Sequence, residues 1–107
     1  SLPTCLPCHE ALTEFLEQNQ KLQFPFACLA EADQVEYFEM FCHDYREQVE
    51  INPIKKTQLL RLGIRSFPTF LVIDDYGIIL REFSLVHFLV RYIEQMPIGL
   101  QIGEQDG

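Results

Sequence analysis

The sequence has no tryptophan, eight basic residues against sixteen acidic ones, and no apolar run of about 18 residues. Its formal net charge of −8 at pH 7 repels a phosphate backbone, so nucleic acid is not expected as a partner. No membrane-spanning helix is expected in this chain. Residues 1–3 lack the basic and apolar pattern of a signal peptide, so any export signal or membrane anchor is expected upstream of this sequence.

Cysteine is also scarce, with four residues in a chain of 107. That number is too small for a disulfide scaffold, and a hydrophobic content of 48% is sufficient for an ordinary core. Cys28 and Cys42 are isolated from each other and from any second Cys-x-x-Cys, so no metal site is expected. We expect them to pack as small apolar side chains, although the sequence leaves a disulfide between them open.

The remaining two cysteines form the close pair Cys5-Leu6-Pro7-Cys8, which opens a segment with helical periodicity. Cysteines at this spacing can close into one small exchangeable disulfide, and beside a βα pattern they indicate redox chemistry. Phe67-Pro68-Thr69 precedes a strongly apolar run later in the chain. A backbone edge of this kind is what thiol-disulfide enzymes need beside the disulfide in order to hold a substrate strand.

His9 gives the same motif a second interpretation. Cys5-Leu6-Pro7-Cys8-His9 also matches the attachment sequence of c-type haem, in which both cysteines form thioethers. Haem domains of this size are largely helical and need a helix before the motif, whereas this chain places many apolar residues in predicted strands. We therefore interpret His9 as an exposed side chain near a redox site, and keep the haem carrier as an alternative.

Hydrophobic periodicity and turn residues predict an alternating α/β order. Pro53 is expected to end the second strand, Gly63 to end the third helix, and Ser84 to cap the last one. The strand at 69–73 is expected to be buried on both faces. The predicted elements are a helix at 8–21, a strand at 24–30, a helix at 35–45, a strand at 49–51, a helix at 56–62, strands at 69–73 and 78–83 around a turn at 74–77, and a helix whose inner side carries Phe88, Leu89, Tyr92, Ile93 and Met96.

This order, with the Cys-x-x-Cys at a helix start and Phe67-Pro68-Thr69 before a strand, resembles the thioredoxin fold over about residues 2–96. The resemblance implies one α/β domain at 1–96, with three α/β/α layers around a mixed central sheet, and a tail at 97–107. The stretch around Glu31 and the turn at 74–77 are similar to the extracytoplasmic, usually membrane-anchored TlpA-like and MauD-like families.

The resemblance implies a role for each residue of the site. Cys5 is the expected nucleophile, because a helix N-terminus stabilises a thiolate, and Cys8 is the expected resolving cysteine. Pro68 is expected in the cis form, with the backbone of Phe67 presented to the substrate. Leu6 and Pro7 are the expected neighbours of a bound substrate. Glu31 has two interpretations, as a proton relay beneath the disulfide or as a solvent-facing side chain.

One departure from the family concerns the sheet. The family's central strand runs into the Cys-x-x-Cys from upstream, and only four residues precede Cys5 here. We therefore expect the strand between those at 24–30 and 69–73 to be absent from this chain. Either the chain is a fragment truncated at its N-terminus, or another segment fills the place, with 98–102 as a less favoured candidate. Phe67 is also larger than the residue usually found before the cis-proline, which leaves substrate specificity open.

The sequence therefore predicts a thiol-disulfide oxidoreductase that needs no cofactor, because the disulfide itself carries two electrons. Its expected partners are protein thiols or disulfides and a redox partner protein. The resemblance implies a periplasmic or other extracytoplasmic location, with the cytoplasm as the alternative. A thioredoxin-fold binding or assembly module without redox turnover is the second hypothesis. The direction of the reaction, the substrate and the oligomeric state are left open.

Overall fold

The structure is a computed structural model, and it describes residues 4–96. Helices and strands are mixed along the chain, which confirms the expected α/β class. The elements are α1 (Leu6–Leu22), β1 (Cys28–Glu31), α2 (Val35–Tyr45), β2 (Ile51–Ile54), α3 (Lys56–Arg61), β3 (Phe70–Ile73), β4 (Ile79–Phe83) and α4 (Val86–Glu94).

Contacts between Cα atoms divide these residues into two compact units. Within the described range, the first unit contains residues 4–10 and 26–68, and the second contains residues 11–25 and 69–96. The expectation of one domain over residues 1–96 stays a prediction.

The first unit is organised around a β1–α2–β2 crossover. The two strands pair in parallel, with Cys28 opposite Ile51 and Glu31 opposite Ile54. Parallel neighbours cannot be joined by a tight turn, so the chain returns through α2, which contacts β2. The buried side chains of this unit are Cys8, Ala30, Phe41, Tyr45, Val49, Ile54, Leu59 and Ile64.

The second unit contains an antiparallel hairpin of β3 and β4, in which Phe70 is opposite Phe83. Asp74 organises the turn, since its Oδ1 accepts the backbone N–H groups of Tyr76 at 2.8 Å and Ile78 at 2.9 Å. Gly77 has a φ of +81°, a left-handed conformation that glycine adopts without the steric cost of a Cβ. The predicted turn is confirmed.

Helix α4 covers part of this unit with four buried side chains: Val86, Leu89, Val90 and Ile93. Two expectations about this helix are wrong. Phe88 is 52% exposed instead of lying on the inner side, because the buried stripe is centred on Leu89 and Ile93. Ser84 does not cap the helix; the N-cap is Leu85, which forms no side-chain cap.

The strands do not form the single mixed central sheet that was expected. Among residues 4–96 they form two separate two-stranded sheets, one of β1 and β2 and the other of β3 and β4. The strand expected to be missing before Cys5 has no counterpart in this range. The segment proposed as its replacement, at 98–102, and the tail at 97–107 lie outside the described residues.

The first strand begins at Cys28 and not at residue 24. Asn19 explains the difference, because its side chain accepts the Phe24 N–H and donates to the Phe24 carbonyl, both at 2.9 Å. Gln23, with a φ of 54°, turns the chain at the end of α1. The backbone groups that a strand would use at Phe24 are therefore bonded to the helix end.

Two further strand predictions are wrong. Pro53 lies inside β2, opposite Ala30, and does not end the strand. Among the described residues β2 pairs only with β1, and an edge strand tolerates a residue without an N–H. Strand β3 is not buried on both faces, since Ile73 is 57% exposed. In a hairpin only one face needs to be covered.

Two leucines of α4 test which side chains stabilise the second unit. Leu89 is 4% exposed and Leu85, four residues earlier, is 59% exposed. We expect Leu89→Ala to lower the free energy of unfolding by about 2–5 kcal/mol, because it removes buried methyl groups and leaves a cavity. Leu85→Ala should change it by less than about 0.5 kcal/mol. Urea unfolding followed by circular dichroism measures both, and equal losses would contradict the packing described.

Candidate functional site

Cys5 and Cys8 form a disulfide at the start of α1, with their Cα atoms 5.2 Å apart. Cys5 immediately precedes the helix, and Cys8 lies in its first turn. Pro7 is tolerated between them because the first N–H groups of a helix have no partner inside the helix. The structure thus brings together the two residues predicted as nucleophile and resolving cysteine.

Backbone donors of the first turn surround Cys5. The Cys8 N–H donates to the Cys5 Sγ at 3.2 Å and to the Cys5 carbonyl oxygen at 3.1 Å, while the His9 N–H donates to the same carbonyl at 3.2 Å. The Cys5 sulfur therefore lies at the positive end of the helix dipole, with an N–H pointed at it. After reduction, this environment stabilises a thiolate at Cys5.

The two sulfurs differ in accessibility. Cys5 is half-buried, whereas Cys8 is only 2% exposed. Leu6, at 67% exposure, and Pro7 form an exposed apolar surface between them. Of the two cysteines, Cys5 is therefore the more exposed to an incoming thiol or disulfide, and Cys8 is shielded from one.

His9 is not the exposed side chain that was expected. It is half-buried, and its ring packs against Phe41 at 5.0 Å and Tyr45 at 5.8 Å between centroids. The Tyr45 hydroxyl donates to the His9 carbonyl oxygen at 3.4 Å and shares a hydrogen bond with His9 Nδ1 at 3.3 Å. In the sequence, Phe41 and Tyr45 lie four residues apart, which places them on one face of α2. This spacing could have indicated an aromatic contact, but it could not have identified His9 as the partner.

Phe67 and Pro68 are joined by a cis peptide bond, as expected. Both residues are half-buried, and they belong to the same compact unit as Cys5 and Cys8. Helix α3 precedes these two residues in the chain and ends before Gly63, whose φ is +80°. Gly63 thus ends this helix as predicted, five residues before the cis-proline.

Glu31 is at the end of β1, where its Oε1 accepts the backbone N–H of Asp33. This contact ties the carboxylate to the loop that leads into α2. The geometry gives Glu31 a role in the turn, while its role as a proton relay stays a prediction.

Cys28 and Cys42 are both free thiols and both half-buried. Burial raises the pKa of Cys28 above its ordinary value of 9.0, and the charge of nearby Cys42 raises it further. Burial also raises the pKa of Cys42, with a smaller contribution from Glu39. Burial thus disfavours thiolates at these two positions, whereas the helix N-terminus favours one at Cys5.

Comparison of the chain with protein-family models, curated proteins and solved structures found no match. In the described range, no helix is long and apolar enough to cross a membrane. Nor do residues 4–96 contain three His, Cys, Asp or Glu side chains grouped so that they could hold a metal ion. Function is therefore inferred from this chain's own geometry.

Tyr45→Phe tests the contact that holds His9. The substitution removes one hydroxyl and its hydrogen bonds to His9 but retains the ring, so we expect the free energy of unfolding to fall by about 0.5–1 kcal/mol. Tyr37→Phe is the matched control, because Tyr37 lies on the same helix and is 48% exposed. Urea unfolding with the disulfide intact compares them, and an equal effect of both would show that the His9 contact adds no stability.

The raised pKa of Cys28 predicts a loss of stability at alkaline pH. A thiol whose folded-state pKa exceeds its unfolded value stabilises the fold below about pH 9, and this contribution disappears as the pH rises through the folded-state pKa. We expect Cys28→Ser to lose less stability than the unmodified chain between neutral pH and about pH 10. Parallel urea titrations at each pH measure the difference, and identical pH slopes would contradict the effect.

Proposed function

We propose that this protein is a thiol-disulfide oxidoreductase that exchanges two electrons with protein cysteines through Cys5 and Cys8. The observation that carries the proposal is the disulfide at the N-terminus of α1, with an accessible Cys5 and a buried Cys8. A partly exposed cysteine whose sulfur accepts an N–H of the first helical turn is in the environment of a reactive thiol, and a buried partner one turn later is in that of a resolving one.

In the reducing direction, the Cys5 thiolate attacks one sulfur of a substrate disulfide and displaces the other sulfur as a thiolate. Cys8 then loses its proton and attacks the Cys5 sulfur of the mixed disulfide, which releases the second substrate thiolate. The products are a reduced substrate with two thiols and the Cys5–Cys8 disulfide. Oxidation of a dithiol substrate follows the same steps in reverse, and a redox partner protein restores the starting state.

The proposed substrate surface combines the exposed Leu6 and Pro7 with the backbone of Phe67 before Pro68. An extended substrate strand could form backbone hydrogen bonds there while its cysteine faces Cys5. Support for this surface comes from the cis peptide bond between Phe67 and Pro68 and from the exposure of Leu6.

We further propose that this chain has a thioredoxin-like fold and that it belongs to the extracytoplasmic TlpA-like and MauD-like branch. In its support, a Cys-x-x-Cys opens a helix, a parallel β1–α2–β2 crossover follows, and a cis-proline precedes an antiparallel hairpin and a final helix. The periplasmic location and the identity of the redox partner depend on the sequence resemblance alone.

The haem carrier is less well supported by this geometry. Thioether bonds to haem would use the two sulfurs that are bonded to each other here. An axial histidine would also have to leave the Phe41 and Tyr45 rings and the Tyr45 hydroxyl, which hold the His9 imidazole. The site as folded is therefore better suited to disulfide exchange.

Turnover with a disulfide substrate tests the proposal. Reduction of insulin, or of a mixed disulfide with glutathione, should fall to the uncatalysed rate in Cys5→Ser, because the attacking thiolate is lost. Cys8→Ser should still be attacked once and accumulate a covalent mixed disulfide at Cys5, since nothing resolves it. Intact mass identifies that adduct.

Cys42→Ser is the matched control, since it removes a thiol outside the Cys5–Cys8 pair and should retain turnover. If Cys5→Ser kept the activity of the unmodified chain, the redox function would be excluded. Retained partner binding in that variant, with no turnover in the unmodified chain, would instead support a binding or assembly module.

A further inference from the structure

The Cys5–Cys8 bond is open during part of the proposed reaction. In the mixed disulfide at Cys5, and in the reduced chain, only non-covalent contacts hold Cys8 near Cys5. Resolution depends on that proximity, because Cys8 must attack the Cys5 sulfur before another thiol does. Contacts that hold the first turn of α1 without the use of either sulfur therefore affect the second step of the exchange.

His9 supplies such contacts, because it is bonded both to the Cys-x-x-Cys turn and to α2. Its N–H donates to the Cys5 carbonyl oxygen at 3.2 Å, which closes the turn that contains both cysteines. Its own carbonyl oxygen accepts the Tyr45 hydroxyl at 3.4 Å, and its Nδ1 lies 3.3 Å from the same hydroxyl oxygen. These bonds use no sulfur atom, so they do not require the disulfide.

The Tyr45 hydroxyl forms both bonds to His9 in one arrangement of protons. A hydroxyl carries a single hydrogen, which the bond to the His9 carbonyl oxygen uses. The bond to Nδ1 then forms when Nδ1 carries a proton and donates it to the hydroxyl oxygen. Tyr45 thus holds the backbone and the ring of His9 together, which a phenyl ring at position 45 would not do.

Tyr45 is itself anchored in the core of the first unit. Its side chain is 8% exposed, and its ring packs at 5.0 Å against Phe41, which is 1% exposed. Its carbonyl oxygen accepts the N–H groups of Gln48 at 2.9 Å and Val49 at 3.2 Å. The Phe41 ring also meets the His9 ring edge-on, at 5.0 Å and 83°. The hydroxyl is therefore held by contacts that do not include the cysteines.

We propose that Tyr45 is a positioning residue of the redox site, which acts through His9 to keep the first turn of α1 formed while the Cys5–Cys8 bond is open. This role rests on the redox function proposed above and concerns its resolving step. The contact orders the turn before the disulfide closes, so closure loses less conformational entropy. Cys8 should therefore have a higher effective concentration at Cys5 than the two-residue spacing alone provides.

Equilibration of the folded chain with glutathione tests the proposal. The Cys5 thiolate attacks glutathione disulfide and releases one glutathione thiolate, and the Cys8 thiolate then attacks the Cys5 sulfur and releases the second. Two cysteine protons pass to the two released thiolates, so the products are one protein disulfide and two glutathione thiols. The ratio of disulfide to dithiol at known glutathione concentrations gives the effective concentration of the pair.

Cleavage after glutamate separates this pair from the other two thiols of the chain. The equilibrium is first stopped with acid, and the remaining thiols are blocked by alkylation. Cys5 and Cys8 are then recovered together in residues 1–10, whereas Cys28 and Cys42 lie in other peptides. Mass spectrometry of the first peptide counts its disulfide, its glutathione adduct and its blocked dithiol.

We expect Tyr45→Phe to lower the effective concentration by about three- to tenfold, the factor that corresponds to about one net hydrogen bond. Tyr37→Phe is the matched control and should leave the value unchanged, because Tyr37 lies on the same helix and is 48% exposed. An unchanged value in Tyr45→Phe, or equal losses in the two variants, would overturn the proposal.

A second control separates positioning from a general loss of stability. Ile54→Val removes one buried methylene group from β2 in the same unit, so it should destabilise the fold about as much as Tyr45→Phe does. While circular dichroism shows both variants to be folded, we expect Ile54→Val to keep the effective concentration of the unmodified chain. A loss equal to that in Tyr45→Phe would show that any destabilisation weakens the pair, and would overturn the role of Tyr45.

The route through His9 is tested by a double-mutant cycle with Tyr45→Phe and His9→Ala. Without the imidazole, the hydroxyl can still donate to the carbonyl oxygen of residue 9. We therefore expect each single variant to lose effective concentration, and the double variant to lose less than the product of the two factors. A loss equal to that product would show that the two residues act independently, which would overturn the proposed route.

The result is separable from that of the redox function. Insulin reduction measures turnover, whereas the glutathione equilibrium measures closure of the Cys5–Cys8 pair. Turnover in the unmodified chain with an unchanged effective concentration in Tyr45→Phe would overturn the positioning role and retain the redox function. A lowered effective concentration in Tyr45→Phe, with no turnover in the unmodified chain, would support the positioning role and exclude the function.

Discussion

The packing of His9 against Phe41 and Tyr45 is the contact on which the candidate site depends. His9 directly follows Cys8, so this contact holds the first turn of α1 against α2. Helix ends held only by their own backbone bonds tend to fray. Here the first turn is also held by aromatic rings that are 1% and 8% exposed and by the Tyr45 hydroxyl. The helix end that carries the disulfide is thereby held against α2.

Burial and the helix dipole act in opposite directions on the cysteines of this unit. Charge on a buried thiol is penalised, which raises the pKa of Cys28 and Cys42. Cys5 instead lies at the end of α1, where an N–H is directed at its sulfur. Within this unit, burial therefore disfavours ionisation of Cys28 and Cys42, whereas the helix N-terminus favours a thiolate at Cys5. The difference follows from where each cysteine lies in the fold.

The regular elements could be predicted wherever periodicity and a specific stop signal agree. Helix α2 follows from its inward stripe, the end of α3 from Gly63, and the hairpin turn from Asp74 and Gly77. The start of β1 could not be predicted, because a polar side chain on the preceding helix, Asn19, captures the backbone of the segment. Secondary-structure propensity depends on the residue types within a short window and does not account for hydrogen bonds from a side chain to the backbone of a later segment.

The sequence by itself determined that Cys5 and Cys8 are spaced to close a disulfide at a helix start, because residues three apart in a helical turn lie about 5 Å from each other, within the range of a disulfide. Only the tertiary structure decided that Cys8 is buried, that His9 is held by two aromatic rings, and that the strands pair two by two within the described range. Spacing along a chain is a local property. Burial and strand pairing depend instead on contacts between residues that are far apart in sequence, and no single segment determines those contacts.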